Sequence, residues 1–593
     1  NDANVMDRTG VAGVAKDKGT VDHIVLDDLY VHDVDGNVIN KHMANGGIYF
    51  IVEKPTDENA TGASKFNDLT IENCSVVTTN RWGIAAAYTY AWAQLNSAHL
   101  NEAALEKYAS SNVTIQNNYI KAAGGDAITT MYVDQPLVQY NVAEDCSRQM
   151  NPTDYPSGWQ RVAAGIWPWK CKDSVFQYNE CYNNQYAYHG NGDGQAWDAD
   201  WTDGTLYQYN YSHGNSRGAI MFCGAEAVNT TFRYNISENE LTGPLDLPGN
   251  PDAHIYNNTF YMNENIKSIF DRTGGNAVLE NNIFYYGGST PLNQNWYPGG
   301  TLQYDNNLYY NFANTPSGDK NAVVVNAGTK VLEDAGSGPS SNTSGIAYIK
   351  ENASVFDGYK LAEDSPAINA GKVITDNNGY DLEHDFFGHA LTDIPEIGAA
   401  ESDYVTVTAT SNVYNVANDQ ISGLAKHTTV KELLKNLNID SSTQVTVKSG
   451  DKVLAENDVV NGGCTVTISY GEKSKTYTIV ASSDCELKST VYMMTGTTIK
   501  IPSTEKNPAT VSEVKQNVKT SSTATVSVIS DDKVLANTDT IADGMTLRIT
   551  AEDGTTSDYV IAVKNNYNWV GDYVNAQQGN VWFGQIKNNS ADT

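Results

Sequence analysis

Nine short strand-like phrases that close on asparagine constrain this chain more than any other feature. They are LTIEN (Asn73), TIQNN (Asn118), LVQYN (Asn141), VFQYN (Asn179), LYQYN (Asn210), TFRYN (Asn235), IYNN (Asn258), LENN (Asn282) and YDNN (Asn307). VLDD, ending at Asp28, reads as the start of the series. The later spacings are 31, 25, 23, 24 and 25 residues, and the spacings of 45 and 38 mark coils that carry insertions. A fixed period of this length is the signature of a solenoid. Here it predicts an all-β fold, a right-handed parallel β-helix, with three short strands and their turns in each coil. Asparagines stacked at the ~4.8 Å inter-strand spacing would hydrogen-bond along the helix axis.

A second phrase recurs in most early coils: GGIYFI (46–51), WGIAAA (82–87), GDAITTM (125–131), AGIWPWK (164–170), QAWDAD (195–200) and GAIMFC (218–223). Side chains alternate faces along a strand. Placing Ile48, Ile84, Ile128, Ile166, Trp197 and Ile220 inward leaves one outward row of Tyr49, Ala85, Thr129, Trp167, Asp198 and Met221. A second outward row, two residues on, holds Ile51, Ala87, Met131, Trp169, Asp200 and Cys223. Trp167 and Trp169 are then one coil, roughly 5 Å, from Asp198 and Asp200. An aromatic face beside carboxylates suits a pyranose ring, whose apolar side stacks while charge acts at the anomeric carbon.

The stretch HGNGDGQAWDADWTDG (189–204) concentrates this chemistry, with Asp193, Asp198, Asp200 and Asp203 interleaved with Trp197 and Trp201. Asp198 and Asp200 share a strand face and would be about 7 Å apart at Cα. Three of these aspartates also offer oxygen ligands for calcium, without the spacing of an EF-hand loop. His189, His213 and His42 are candidate substrate contacts, although histidines in such settings more often serve core or turn packing. Asp126 reads as a turn residue.

The net charge of -32 argues against nucleic acid and polyanionic substrates, which need basic grooves, and leaves neutral glycans open. Tyrosine (36) far outnumbers phenylalanine (13), in keeping with a secreted or wall-attached carbohydrate-active protein. No apolar run approaches the roughly 18 residues of a membrane span. Asn1 reads as following a cleavage. The seven cysteines lack metal-type clustering and read mostly as buried thiols, with Cys464 and Cys485 a candidate pair.

Residues 1–403 form the expected helix, closed by YKLAEDSPAINAG (359–371) and DIPEIGAAESD (393–403) in the manner of a terminal cap. Two insertions, 88–108 with a helical end and 147–162 carrying Trp159, would wall the aspartate face. Beyond residue 403, TVKELL…KVLAENDVV matches TVSEV…KVLANTDTI at a constant offset of 81. This predicts two small Ig-like or β-rich modules, 404–484 and 485–565, each with a short amphipathic helix and no catalytic motif. Residues 566–593, with Trp569, Tyr573, Trp582 and Phe583, read as a truncated further module or an aromatic tail.

Other β-helix chemistries leave different marks. Polygalacturonases carry NTD, paired DD, GHG and RIK; only fragments such as Gly125-Asp126 are present. Uronate lyases use a Lys or Arg base in a basic cleft, and only Lys170, Lys172 and Arg217 lie near the cluster. A polysaccharide lyase is therefore one rival. A non-enzymatic cell-surface glycan-binding solenoid with a calcium site is the other.

NKHMANGGIYF, the Asn coils and GDGQAWDAD together resemble glycoside hydrolase family 136, the β-helix lacto-N-biosidases of gut bacteria, over roughly residues 1–403. The resemblance implies release of lacto-N-biose from lacto-N-tetraose-type milk or mucin glycans with retention of configuration. It implies a catalytic pair seven positions apart, which here is Asp193 as acid/base and Asp200 as nucleophile. It further implies bound calcium, with no cofactor in the chemistry itself, and in some members a chaperone or separate N-terminal partner needed for folding. A retaining pair lies roughly 5–5.5 Å apart, whereas seven extended residues span roughly 23 Å. The chain must therefore bend between Asp193 and Asp200, at Gly192 or Gly194. Asp198 needs no bend and stays a candidate acid/base. Trp167, Trp169, Trp197, Trp201, His189 and His213 complete the expected substrate contacts.

Overall fold

The computed structural model describes residues 8–36, 45–95, 101–149, 162–185, 193–339, 353–375, 379–380, 382–391, 394–402, 404–471, 473–481, 484–503, 507–521, 523–552, 554–564, 569–570 and 587–588. His42, Trp159, His189, Tyr573, Trp582 and Phe583 lie outside them, as do Gly192 and most of the 147–162 insertion. The chain divides into two compact units, Asn1–Tyr404 and Val405–Thr593.

The first unit is a parallel β-helix. Its described strands form three parallel sheets, and each coil contributes one strand to each sheet through most of the unit. The first sheet runs from Thr9–Ala15 through Gly46–Val52, Trp82–Thr89, Ile128–Met131, Ile166–Trp169, Trp197–Asp200 and Ile220–Cys223 to Leu245–Asp246. Its inward row pairs Ile48, Ile84, Ile128, Ile166, Trp197, Ile220 and Leu245 in direct register, as the phrase alignment requires. These residues share one continuous apolar core with Phe176, Tyr207, Phe232, Phe260 and Phe284.

The asparagine ladder is present, one residue out of the expected register at its start. Asn118 N–H and Nδ2 both donate to Asn141 Oδ1 at 3.0 Å, and the pattern passes through Asn179, Asn210, Asn235, Asn258 and Asn282 to Asn307. Asp319 ends the ladder by accepting from both Asn307 nitrogens. Cys74, not Asn73, donates its backbone N–H to Asn118. Asn73 and Asp28 instead hold positive-φ corners, equivalent to Asn117, Tyr140, Tyr178 and Tyr209. Asn and Asp tolerate that backbone region, so both positions attract the same residue types and blur the register. The corner tyrosines stack at ring separations of 4.8 Å (Tyr140–Tyr178) and 5.1 Å (Tyr178–Tyr209).

The segment read as a terminal cap packs along the flank rather than across the end. Tyr359, Leu361, Ile368, Phe386 and Ile397 form a second core with Tyr209, Tyr211, Tyr234 and Tyr256. Asn257 Nδ2 donates to the carbonyls of Glu396 and Gly398, and Gly398 N–H donates to Asn281 O. The buried tyrosine rings present an apolar side surface, and this strap removes it from water.

In the second unit the 81-residue repeat is visible in matching helices, Val430–Lys435 and Val511–Gln516. Both open with a capping box, Thr429 with Glu432 and Thr510 with Glu513. Each helix belongs to the same core as a six-stranded mixed sheet, and in the first module Ala409–Thr410 and Asn438–Ile439 add a two-stranded antiparallel sheet. Cys464 sits in the first module's core and Cys485 against the second's; all seven cysteines are free thiols.

Candidate active site

The outward rows of the first sheet carry the candidate site, and the two rows have different fates. In the earlier coils the first outward row is sealed. Tyr49, Ala85 and Trp167 pack with Trp82, Leu95, Leu105 and Ala109, several of them from the 88–108 insertion and its helix Glu102–Tyr108. Trp167 is 1% exposed, and its Nε1–H donates to Asp126 Oδ1 at 3.0 Å. Asp126 in turn pairs with buried Arg81 at 2.8 Å. Trp167 is therefore packing under the insertion and not a sugar platform, and Asp126 is a buried ion-pair partner rather than a simple turn residue.

The second outward row stays partly open. Trp169 pairs in register with Asp200, and Asp200 with Cys223. A register shift between Phe50 and Ile51 puts Tyr88, instead of Ala87, opposite Ile51. Tyr88 reaches the Trp169 ring at 6.4 Å and the Tyr132 ring at 5.7 Å. Tyr132 and Trp169 are 5.6 Å apart. The aromatic wall beside Asp200 is thus Tyr88, Tyr132 and Trp169. Burial pushes the Tyr132 phenol well above its ordinary value, with the Asp200 charge adding to the effect. The two tyrosines were not legible in the phrase alignment, because a bulge and a corner residue both fall outside strict alternation.

Asp198, Asp200 and Cys223 converge: their ligating atoms lie within 4.8 Å of one another. Asp198 is 3% exposed, and Asp200 is half-buried at the strand end. Burial drives the Cys223 thiol well above its normal range, with the charges of Asp200, Asp198 and Asp193 adding to the shift. Asp198 and Asp200 therefore share one small volume with Cys223, and the charge of Asp193 reaches the same thiol. Gly194, between Asp193 and the strand, has φ +135°, a backbone conformation that favours glycine.

Arg272, which no strand phrase marks, borders the site at Asp193. Its Nη2 lies 3.4 Å from Asp193 Oδ1, and its Nε lies 2.9 Å from both oxygens of fully buried Asp246. Gln195 also donates to Asp246. The signal for Arg272 was available in principle: Met221 pairs with Asp246, and Leu245 bridges to Phe270, two residues before Arg272. Arg217 pairs with Asp271 at 2.7 Å. Lys170, directly after Trp169, is buried with its Nζ 3.3 Å from the centre of the Trp201 ring.

Three expected contacts lie elsewhere. Trp197 is wholly inside the coil, stacked between Ile166 and Ile220. His213 belongs to the third sheet, where it bonds Glu180 at 3.2 Å and stacks on Tyr182 at 4.6 Å. Asp203 opens the second-sheet strand Asp203–Gln208 and accepts from Asn229. Without Asp203 the cluster offers two carboxylates and a thiol. Calcium needs six to eight oxygens and has little affinity for sulfur, so this group does not fit a calcium cage.

A lacto-N-biosidase of Bifidobacterium longum subsp. longum is 41% identical to this chain over 607 residues, covering 96% of the chain and 35% of the relative. The chain thus spans about a third of the length of that relative. The solved GH136 lacto-N-biosidase of Eubacterium ramulus is 45% identical, with a TM-score of 0.45, over 47% of this chain and 45% of its own. No family model matches the chain.

Proposed function

From its 41% identity to a lacto-N-biosidase over 96% of the chain, we propose that this chain belongs to glycoside hydrolase family 136 and is a retaining glycoside hydrolase that releases lacto-N-biose from lacto-N-tetraose-type milk or mucin glycans. The observation that carries the reading is the convergence of Asp198 and Asp200 on Cys223, with the charge of Asp193 reaching the same thiol, beside a wall of Trp169, Tyr88 and Tyr132.

Asp200 is the nucleophile in this scheme. Its carboxylate attacks the anomeric carbon while a carboxylic acid protonates the departing glycosidic oxygen. Water then attacks the glycosyl ester, gives its proton to the same acid/base, and returns the electron pair to Asp200. Trp169 stacks on the sugar's apolar face, and Arg272, held by Asp246, meets sugar hydroxyls and Asp193 together.

The family spacing makes Asp193 the acid/base. A second reading gives that role to Asp198, favoured by its approach to Asp200 within 4.8 Å, close to the separation of a retaining pair. The lyase rival needs a base free to take a proton. Arg217 and Arg272 are instead engaged by carboxylates, Lys172 faces Asp173 and Asp203 on the second sheet, and Lys170 is 1% exposed and covered by the Trp201 ring.

The test is incubation with lacto-N-tetraose and chromatography of the products, with Asp200→Asn, Asp193→Asn and Asp198→Asn in parallel. Release of lacto-N-biose and lactose, lost in Asp200→Asn and Asp193→Asn, is the expected result. Retained activity in Asp193→Asn with loss in Asp198→Asn transfers the acid/base role. An unsaturated product absorbing in the ultraviolet overturns the hydrolase reading.

A further inference from the structure

The Lys170 side chain is placed against the usual habits of lysine. A lysine near a surface extends its ammonium into water, yet Lys170 is 1% exposed and its Nζ has no hydrogen-bond partner among the described residues. Burying an ammonium without hydrogen bonds is costly, so its position calls for compensation.

Compensation comes from two directions. The Nζ rests 3.3 Å from the centre of the Trp201 ring, a desolvated cation–π contact. Asp200 and Glu226 supply opposing charge, Asp200 from the adjacent strand and Glu226 from the loop after Ile220–Cys223. Burial nevertheless brings the ammonium down to about 8, against the pull of those two carboxylates.

The backbone explains how Lys170 comes to be there. Tyr132, Lys170, Trp201 and Gly224 each follow the last residue of a first-sheet strand, and each has positive φ. They form one column of corners. Lys170 N–H donates to Asp200 O at 3.4 Å, tying the column to the strand that carries Asp200. The column ends in a glycine, so no side chain follows Trp201 at the next corner.

We propose that Lys170 is a positioning residue of the site: its ammonium fixes the Trp201 indole and holds Asp200 as the carboxylate anion. The proposal rests on the reading of Asp200 as nucleophile. Asp200 loses its charge when the glycosyl ester forms and regains it when the ester is hydrolysed. In that second step the C–O bond to Asp200 breaks, its electron pair returns to the carboxylate, and water supplies the new C–O bond. A cation within Coulomb reach favours the departing anion there and the ionised nucleophile at the start.

The test is the pH profile of kcat/KM on lacto-N-tetraose for the full chain and for Lys170→Met, Lys170→Arg, Glu226→Gln and Asp200→Asn. Lys170→Met keeps the stem and removes the charge. Its acid limb is expected to move up by about one pH unit, equal to about a tenfold loss below the limb. Lys170→Arg is expected to restore the wild-type acid limb. Glu226→Gln removes one supporting anion at a half-buried loop position, and its alkaline limb is expected to move down; this arm holds even where Lys170→Met does not fold. Inactive Asp200→Asn with an unshifted acid limb in folded Lys170→Met overturns the Lys170 proposal alone, as does an unshifted alkaline limb in Glu226→Gln. An active Asp200→Asn overturns both readings.

Discussion

Arg272 Nη2 lies 3.4 Å from Asp193 Oδ1, across 79 residues of sequence, and the same guanidinium grips buried Asp246. One side chain thus links the turn that presents Asp193 to the coils that follow. Arg272→Met would strand Asp246, which is fully buried. Breaking a buried pair typically costs 3–5 kcal/mol; the partial exposure of Arg272 reduces the expected loss to about 2–3 kcal/mol. Urea denaturation measures it. A loss under about 0.5 kcal/mol would mean that Asp246 does not depend on Arg272.

The two tryptophans once paired as a platform are expected to separate. Trp167→Ala removes a sealed indole and its bond to Asp126, and should destabilise the chain by about 3–5 kcal/mol. Trp169→Ala, at a half-buried ring against Tyr132 and Tyr88, should cost clearly less stability than Trp167→Ala and raise KM for lacto-N-tetraose about tenfold, the value of one lost stacking contact. The opposite assignment of effects would return Trp167 to the substrate.

Asn210→Ala tests the ladder. The side chain accepts from Asn179 N–H and Nδ2 and donates to Phe176 O and Asn235 Oδ1, all buried. Leaving these groups unmatched should cost about 2–4 kcal/mol. Guanidinium unfolding followed by circular dichroism reads the change, and a near-neutral result would show that water replaces the amide.

Glu240 should make stability depend on pH. Its carboxylate accepts from Asn215 N–H at 2.7 Å at the end of the shorter Asn184–Asn215 ladder. Burial pushes it up to about 7, against the hydrogen bond from Asn215 and the nearby His213. A carboxyl raised in the folded state contributes stability that is complete below the ordinary carboxylate range and is lost as pH rises through about 7. Wild type should therefore lose about 2–4 kcal/mol relative to Glu240→Gln between pH 4.5 and 8. A difference that stays constant over this interval would place the proton elsewhere.

The coil period, the inward row from Ile48 to Ile220 and the adjacency of Trp169 to Asp200 were legible because a parallel strand stack repeats the same short phrase in neighbouring coils, whatever insertion lies between them. The flank strap and Arg272 were less legible. Both act between residues whose spacing includes irregular turns, where no period carries the register.

By itself, the sequence determined the helix, its repeat, the 81-residue module repeat and the strand bearing Asp198 and Asp200. These follow from alternation, period and hydrogen-bonding side chains, all of which are local. Only the tertiary structure decided which outward residues are buried and which face the cleft. It sealed Trp167 beneath an inserted helix, moved His213 and Asp203 to other sheets, brought Tyr88 in through a bulge, and set Lys170 against Trp201. The physical reason is that burial of an outward side chain depends on what covers it, and the covering segments come from insertions and distant coils that no strand pattern encodes.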